Sequence, residues 1–166
     1  MSSAQLRPHA PRVLKPSLKP LTDLQAQPDG SWSTTGFSPR FEVGIDAGRY
    51  AGAWVICEAQ ILTDLEIVTP FLHVLHAAKD RPRLIHPLAA DSRGRGRWIG
   101  RLPDDLTGLR LEPIGMAGRF RVGDFTIRRL SRAAVLSRAA RLDPLQTGEA
   151  LYWLSLIHIS EPTRPY

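Results

Sequence analysis

The sequence predicts a mainly β protein: an antiparallel β-sandwich, jelly-roll-like, followed by one C-terminal helix and preceded by a disordered N-terminal tail. Three observations carry that expectation. Apolar residues alternate with polar ones in several short runs, the period of a half-buried strand. A longer run from Tyr50 to Ile61 is rich in aromatic and β-branched residues, as a central strand requires. Turn-forming clusters recur every ten or so residues, the spacing of a sandwich.

At 166 residues, 43% of them hydrophobic, the chain has room for one domain with a core, plus tails. Residues 1–20 carry Pro8, Pro11, Pro16 and Pro20 among Arg7, Arg12, Lys15 and Lys19. Proline at that density interrupts both helix and sheet, so this segment is expected to be a disordered basic tail. Such a tail suits an anionic membrane surface, each basic residue contributing about 1 kcal/mol when close. It has no apolar stretch of signal-peptide length, and no run in the chain approaches a membrane span.

The sandwich is expected over residues 21–130. Pro28-Asp29-Gly30-Ser31 is a turn, because proline fixes φ and glycine accepts φ > 0. Phe41, Val43 and Ile45 alternate with polar or small residues as one strand, and Tyr50 to Ile61 follows as the central one. Leu65 to Ala77 reads as strand with Pro70 as a break or edge position. Leu84–Leu88 and Arg97–Leu102 come next, separated by the polar loop Asp91 to Gly96.

Leu106 to Arg132 is expected to hold three short strands, two tight turns and the start of a helix. Leu109 and Leu111 face one way and Arg110 the other. Gly115 to Gly118 forms a turn. Gly123-Asp124 is read as a two-residue type II′ hairpin loop that sets Val122 opposite Phe125. Ser131 then N-caps a linker helix, expected within residues 131–153, in which Val135, Leu136, Ala139 and Leu142 recur at helical spacing.

Residues 154–166 have a different origin. Leu154 to Arg164, LSLIHISEPTR, resembles the forward translation of a transposase-type sequencing adapter, codon by codon. The expectation is an artefact from residue 154 onward and a natural chain that is a fragment of a longer protein.

Candidate chemistry is sparse. No catalytic residues and no cofactor are expected. His73 and His76 would lie on opposite faces of a strand, so no metal site is expected either. Cys57, the single cysteine, sits among apolar residues and reads as a buried, inert thiol. Asp104-Asp105 follows Pro103 and reads as a turn. Gly94-Arg95-Gly96-Arg97 is too short for a phosphate cradle, but Arg93, Arg95 and Arg97 make an anion-contacting loop a candidate. Among the tryptophans, Trp54 and Trp98 lie in apolar strands and read as core. Trp32, beside a turn, is the candidate platform for a sugar ring. The net charge of +6 would suit nucleic acid, yet the basic residues are scattered with no aromatic-interleaved block, which weighs against that partner.

Leu109-Arg110-Leu111-Glu112-Pro113, Gly118-Arg119-Phe120-Arg121-Val122 and Ile127-Arg128-Arg129-Leu130-Ser131-Arg132 together resemble an N-terminal β-sandwich module of bacterial glycosyltransferases of the surface-polysaccharide or O-antigen type. Trp32-Ser33-Thr34-Thr35-Gly36 and Pro39-Arg40-Phe41 fit the same pattern. Glu112 and Ser38 stand where that family usually has aspartate. The resemblance covers about Gly30 to Arg132 and implies a noncatalytic accessory module. Its partner would be a downstream catalytic domain of the same chain, and it would sit in the cytoplasm, peripherally at the inner membrane face. A stand-alone carbohydrate-binding or protein-interaction sandwich and a basic nucleic-acid-binding module remain as alternatives.

Overall fold

A computed structural model describes residues 13–65, 68–91 and 93–139, and the chain divides into two compact units, Met1–Arg129 and Leu130–Tyr166. The first unit is the expected antiparallel sandwich. Its strands are β1 (Leu18–Thr22), β2 (Leu24–Ala26), β3 (Trp32–Thr34), β4 (Arg40–Val43), β5 (Trp54–Thr63), β6 (Phe71–His76), β7 (Leu84–Pro87), β8 (Ala89–Ala90), β9 (Arg95–Arg101), β10 (Leu106–Glu112) and β11 (Arg119–Arg129). A single helical turn, α1 (Ala47–Tyr50), N-capped by Asp46, joins β4 to β5. One sheet has the order β1-β4-β10-β6-β7 and the other β2-β3-β11-β5-β9-β8.

Strand parity explains why two sheets form. On β10, Leu109 is paired with Val43 on one side and Val74 on the other, and Leu111 with Phe41 and Leu72. All six are buried, whereas Arg110 and Glu112 between and beside them point outward. On β5, Val55, Cys57, Ala59 and Ile61 face the same core from the opposite sheet. Each fully buried side chain of this kind contributes roughly 1.5–3 kcal/mol. Phe41 bridges the layers, edge-on to Phe120 with centroids 6.3 Å apart.

The turn at Pro28–Ser31 forms as expected. Gly30 has φ 78°, the Gly30 N–H donates to the Gln27 carbonyl, and β2 and β3 pair around it. Ser131 also caps as expected: its Oγ accepts from the Ala134 N–H at 3.2 Å, opening α2 (Arg132–Ala139) in the second unit. Leu142 and the rest of residues 140–166, including the adapter-like segment, lie outside the described residues, as do residues 1–12.

Two expectations are corrected. Val122 does not face Phe125 across a hairpin. β11 is one continuous strand, with Val122 paired to Ile61 and Phe125 to Ala59, so Gly123 and Asp124 together oppose Gln60. That two-against-one arrangement is a β-bulge. Gly123 also lacks the positive φ that the first central residue of a type II′ turn requires. Gly115–Gly118 accordingly joins strands in different sheets, not neighbours in one.

The second correction concerns where the tail ends. Leu18 begins a strand paired with β4, and Leu14 bridges to Ile127, so order reaches below residue 20. Pro20 is compatible because β1 is an edge strand, where a missing N–H leaves no neighbour unpaired. Lys15 is tied down as well, its ammonium 3.0 Å from Asp124.

Candidate ligand-binding face

The outward face of the five-stranded sheet brings together residues that are far apart in sequence. Ser38, at the end of the β3–β4 loop, and Arg40 on β4 both reach Glu112 on β10: Ser38 Oγ donates to Oε2 at 3.4 Å and Arg40 Nε at 3.5 Å. His73 on β6 comes from the other side, with Nε2 at 2.8 Å from the same oxygen. His73 is only 7% exposed despite facing outward, and the Glu112 side chain only 13%. No described donor reaches Glu112 Oε1, which leaves an acceptor on this floor for a further partner.

Phe37, next in sequence to Ser38, is 86% exposed. Its loop is pinned from beneath. The Ser38 N–H donates to Asp23 Oδ2 at 3.1 Å, and the Ser38 carbonyl accepts from Thr22 Oγ1 at 3.0 Å. The Thr35 N–H donates to the Asp23 carbonyl at 3.0 Å. Asp23 itself has φ 55°, a left-handed conformation that aspartate tolerates better than most residues. Its carboxylate lies so close to Gly36 that a Cβ there would meet it at 2.5 Å. The loop therefore holds a large apolar ring in water on a fixed backbone.

The residues singled out from sequence occupy other places. Trp32 faces inward opposite Phe120, half-buried and edge-on to Phe41 with centroids 5.1 Å apart. It is not an open platform. Trp98 borders the core and stacks on His86 with centroids 4.5 Å apart. Trp54 is half-buried and alternates out of the core, since Val55 points in. Arg93, Arg95 and Arg97 do surround a loop with converging N–H groups, but its anion is internal. The N–H groups of Arg93 and Arg95 donate to Asp91 Oδ1 at 2.9 and 3.0 Å. These bonds, Arg95 first, hold the Asp91 carboxyl below its usual range. Arg97 is paired with Glu58 at 2.8 Å.

Arg93 also lines a cavity of about 730 Å³ at one end of the six-stranded sheet, together with Asp29, Ser31, Asp64, Arg119 and Arg121. Its charges are largely satisfied internally. Arg119 pairs with Asp29 at 3.0 Å and donates to Ser31 Oγ, while Arg121 donates to the Asp29 carbonyl. The Asp29 carboxyl is held well below the usual range, chiefly by the Ser31 hydroxyl and N–H, then by Arg119. Cys57 is fully buried, and burial pushes its thiol far up, away from reactivity.

Among the described residues no three His, Cys, Asp or Glu side chains gather as a metal site, and no helix is long and apolar enough to cross a membrane. His73 and Phe37 were the residues that sequence reasoning missed as site members. Arg40, Arg110 and Glu112 were legible only as parts of a resemblance; the fold places their strands side by side.

No protein-family model and no characterised protein sequence matches the chain. Among solved structures, the CBM22-1–GH10 modules of Clostridium thermocellum endo-1,4-β-D-xylanase 10B, complexed with xylohexaose, resemble it with a TM-score of 0.43 and 12% identity. The likeness covers 72% of this chain and 26% of that one, and it is too loose to carry functional weight.

Proposed function

We propose that the sandwich is a noncatalytic binding module whose ligand is a glycan, held on the outward face of the five-stranded sheet. The observation that carries this reading is Phe37, an 86% exposed ring on a loop fixed by Asp23 and Thr22. An aromatic in water gains nothing for the fold, whereas its flat apolar face matches the C–H face of a pyranose. Ser38, the next residue in the chain, meets Arg40 and His73 at Glu112, so that donors and acceptors are already oriented by one another, as hydroxyl recognition requires.

The wider reading keeps the module as an accessory of a polysaccharide-assembling glycosyltransferase, with the catalytic domain as its partner in the chain. It rests on the resemblance over Gly30 to Arg132. Reading the gene beyond Trp153 in an adapter-free assembly tests it; a frame that stops soon after, or continues without a nucleotide-sugar fold, removes it.

The glycan reading is tested by titrating the full chain with a panel of neutral and acidic oligosaccharides. Binding that Phe37→Ala abolishes, with the melting temperature kept, is the expected result. Absence of binding across the panel, or binding indifferent to Phe37, overturns it.

A further inference from the structure

Arg110 projects from the middle strand of the same face, its Cα paired with Glu42 on one side and His73 on the other. Several other arginines of the sandwich are engaged. Arg40 holds Glu112, Arg97 holds Glu58, Arg101 holds Asp104, and Arg119 and Arg121 hold Asp29. Arg110 makes no hydrogen bond or ion pair among the described residues, and its Nε is buried without a partner. A guanidinium nitrogen withdrawn from water and left unbonded costs stability. Arg128 Nε and His76 Nδ1 are buried without a partner as well; of the three, Arg110 is the one paired with Glu42 and His73 on this face, where no carboxylate neutralises its guanidinium.

We infer that the ligand is an acidic glycan and that Arg110 receives the carboxylate of a uronate-type sugar; this rests on the glycan reading above. The fork of a guanidinium matches a planar carboxylate with two parallel N–H bonds. The surrounding charges favour a monoanion. Lys19, Arg40 and Arg110 are balanced by Glu42, Glu112 and the Asp23 carboxylate under the Phe37 loop, so the one guanidinium without an ion pair suits a monoanion better than a dianionic phosphate. Glu112, two residues along the same strand and on the same face, would engage hydroxyls, and Phe37, next in sequence to Ser38, a ring of the same saccharide chain.

The test uses the full chain, an oligogalacturonide and the neutral oligogalactoside of equal length, in calorimetric titrations at low and at moderate salt. The uronate is expected to bind at least about tenfold tighter, with the margin shrinking as salt rises. Arg110→Gln should bring the uronate down to the neutral sugar's affinity. Arg110→Met, without ligand, should keep or raise the melting temperature, because an unpaired buried nitrogen is removed. Equal affinity for the two sugars, uronate binding unchanged in Arg110→Gln, or a melting temperature several degrees lower in Arg110→Met overturns the inference while leaving the glycan reading standing. Failure of both sugars and of the wider panel removes the glycan reading and this inference with it.

Discussion

His73 Nε2 and Glu112 Oε2 lie 2.8 Å apart on adjacent strands, and the same oxygen takes Ser38 and Arg40 from the opposite side. One carboxylate oxygen thus ties together β4, β6 and β10 on the outward face of the sheet.

Replacing Glu112 by Ala strips three donors of one acceptor, two of them on side chains that are mostly out of water. Breaking charge-assisted bonds in such a setting costs roughly 1–3 kcal/mol. Urea unfolding should register that loss, and Glu112→Gln, which keeps a carbonyl oxygen in place, should recover part of it.

Phe37 and Trp32 should separate function from stability. Phe37→Ala removes an exposed ring and should leave the unfolding midpoint within about 0.5 kcal/mol of the parent. Trp32→Ala removes a ring packed on Phe41 and should cost roughly 2–4 kcal/mol. Paired unfolding curves decide it: a large loss at Phe37 would mean that the ring serves the fold.

Gly36→Ala should loosen the Phe37 loop, since its Cβ would meet the Asp23 carboxylate at 2.5 Å. Ordinary steric displacement of this kind costs about 1–3 kcal/mol. Amide exchange at Ser38, whose N–H bonds Asp23, should accelerate in the variant.

Acid should weaken the fold through Asp29 and Asp91. Both carboxyls are depressed in the folded chain by hydrogen bonds to the charged form, from an ordinary value of 3.8. Their contribution is therefore complete above that ordinary value, and it is lost as pH falls through it toward the lower folded values. Denaturation midpoints should drop between about pH 5 and about pH 3, and less steeply in Asp91→Asn than in the parent. A profile flat over that window would contradict the assignment.

Cys57 should resist thiol reagents in the native state and react at once in denaturant, because it is buried in the core strand β5.

Much of the sandwich was legible because alternation is a local signal. Leu109-Arg110-Leu111 already separates a buried face from an outward one. The Gly123-Asp124 bulge was not legible as such, because a glycine followed by aspartate suits a two-residue loop equally well. Only the ten-residue partner β5, distant in sequence, decides between them. Residues 18–20 were misread for a related reason: proline's cost depends on whether its strand has a neighbour on the N–H side. The site was harder. Phe37 sits in Gly-Phe-Ser-Pro with no periodicity, although a lone large aromatic inside turn chemistry is itself a signal of exposure. His73 gave no sign of its carboxylate partner, which lies 39 residues away.

The bulge in β11 acts as a phase shifter. Ahead of it the even-numbered Phe120 and Val122 look toward the core, and behind it the odd-numbered Phe125 and Ile127 do so. The two halves of the strand are written in opposite reading frames of in and out, and one extra residue reconciles them. Deleting Gly123 alone would leave every contact residue in the sequence yet turn one half of the strand inside out. The strand's tolerance for length is therefore zero at the place where its composition looks most permissive.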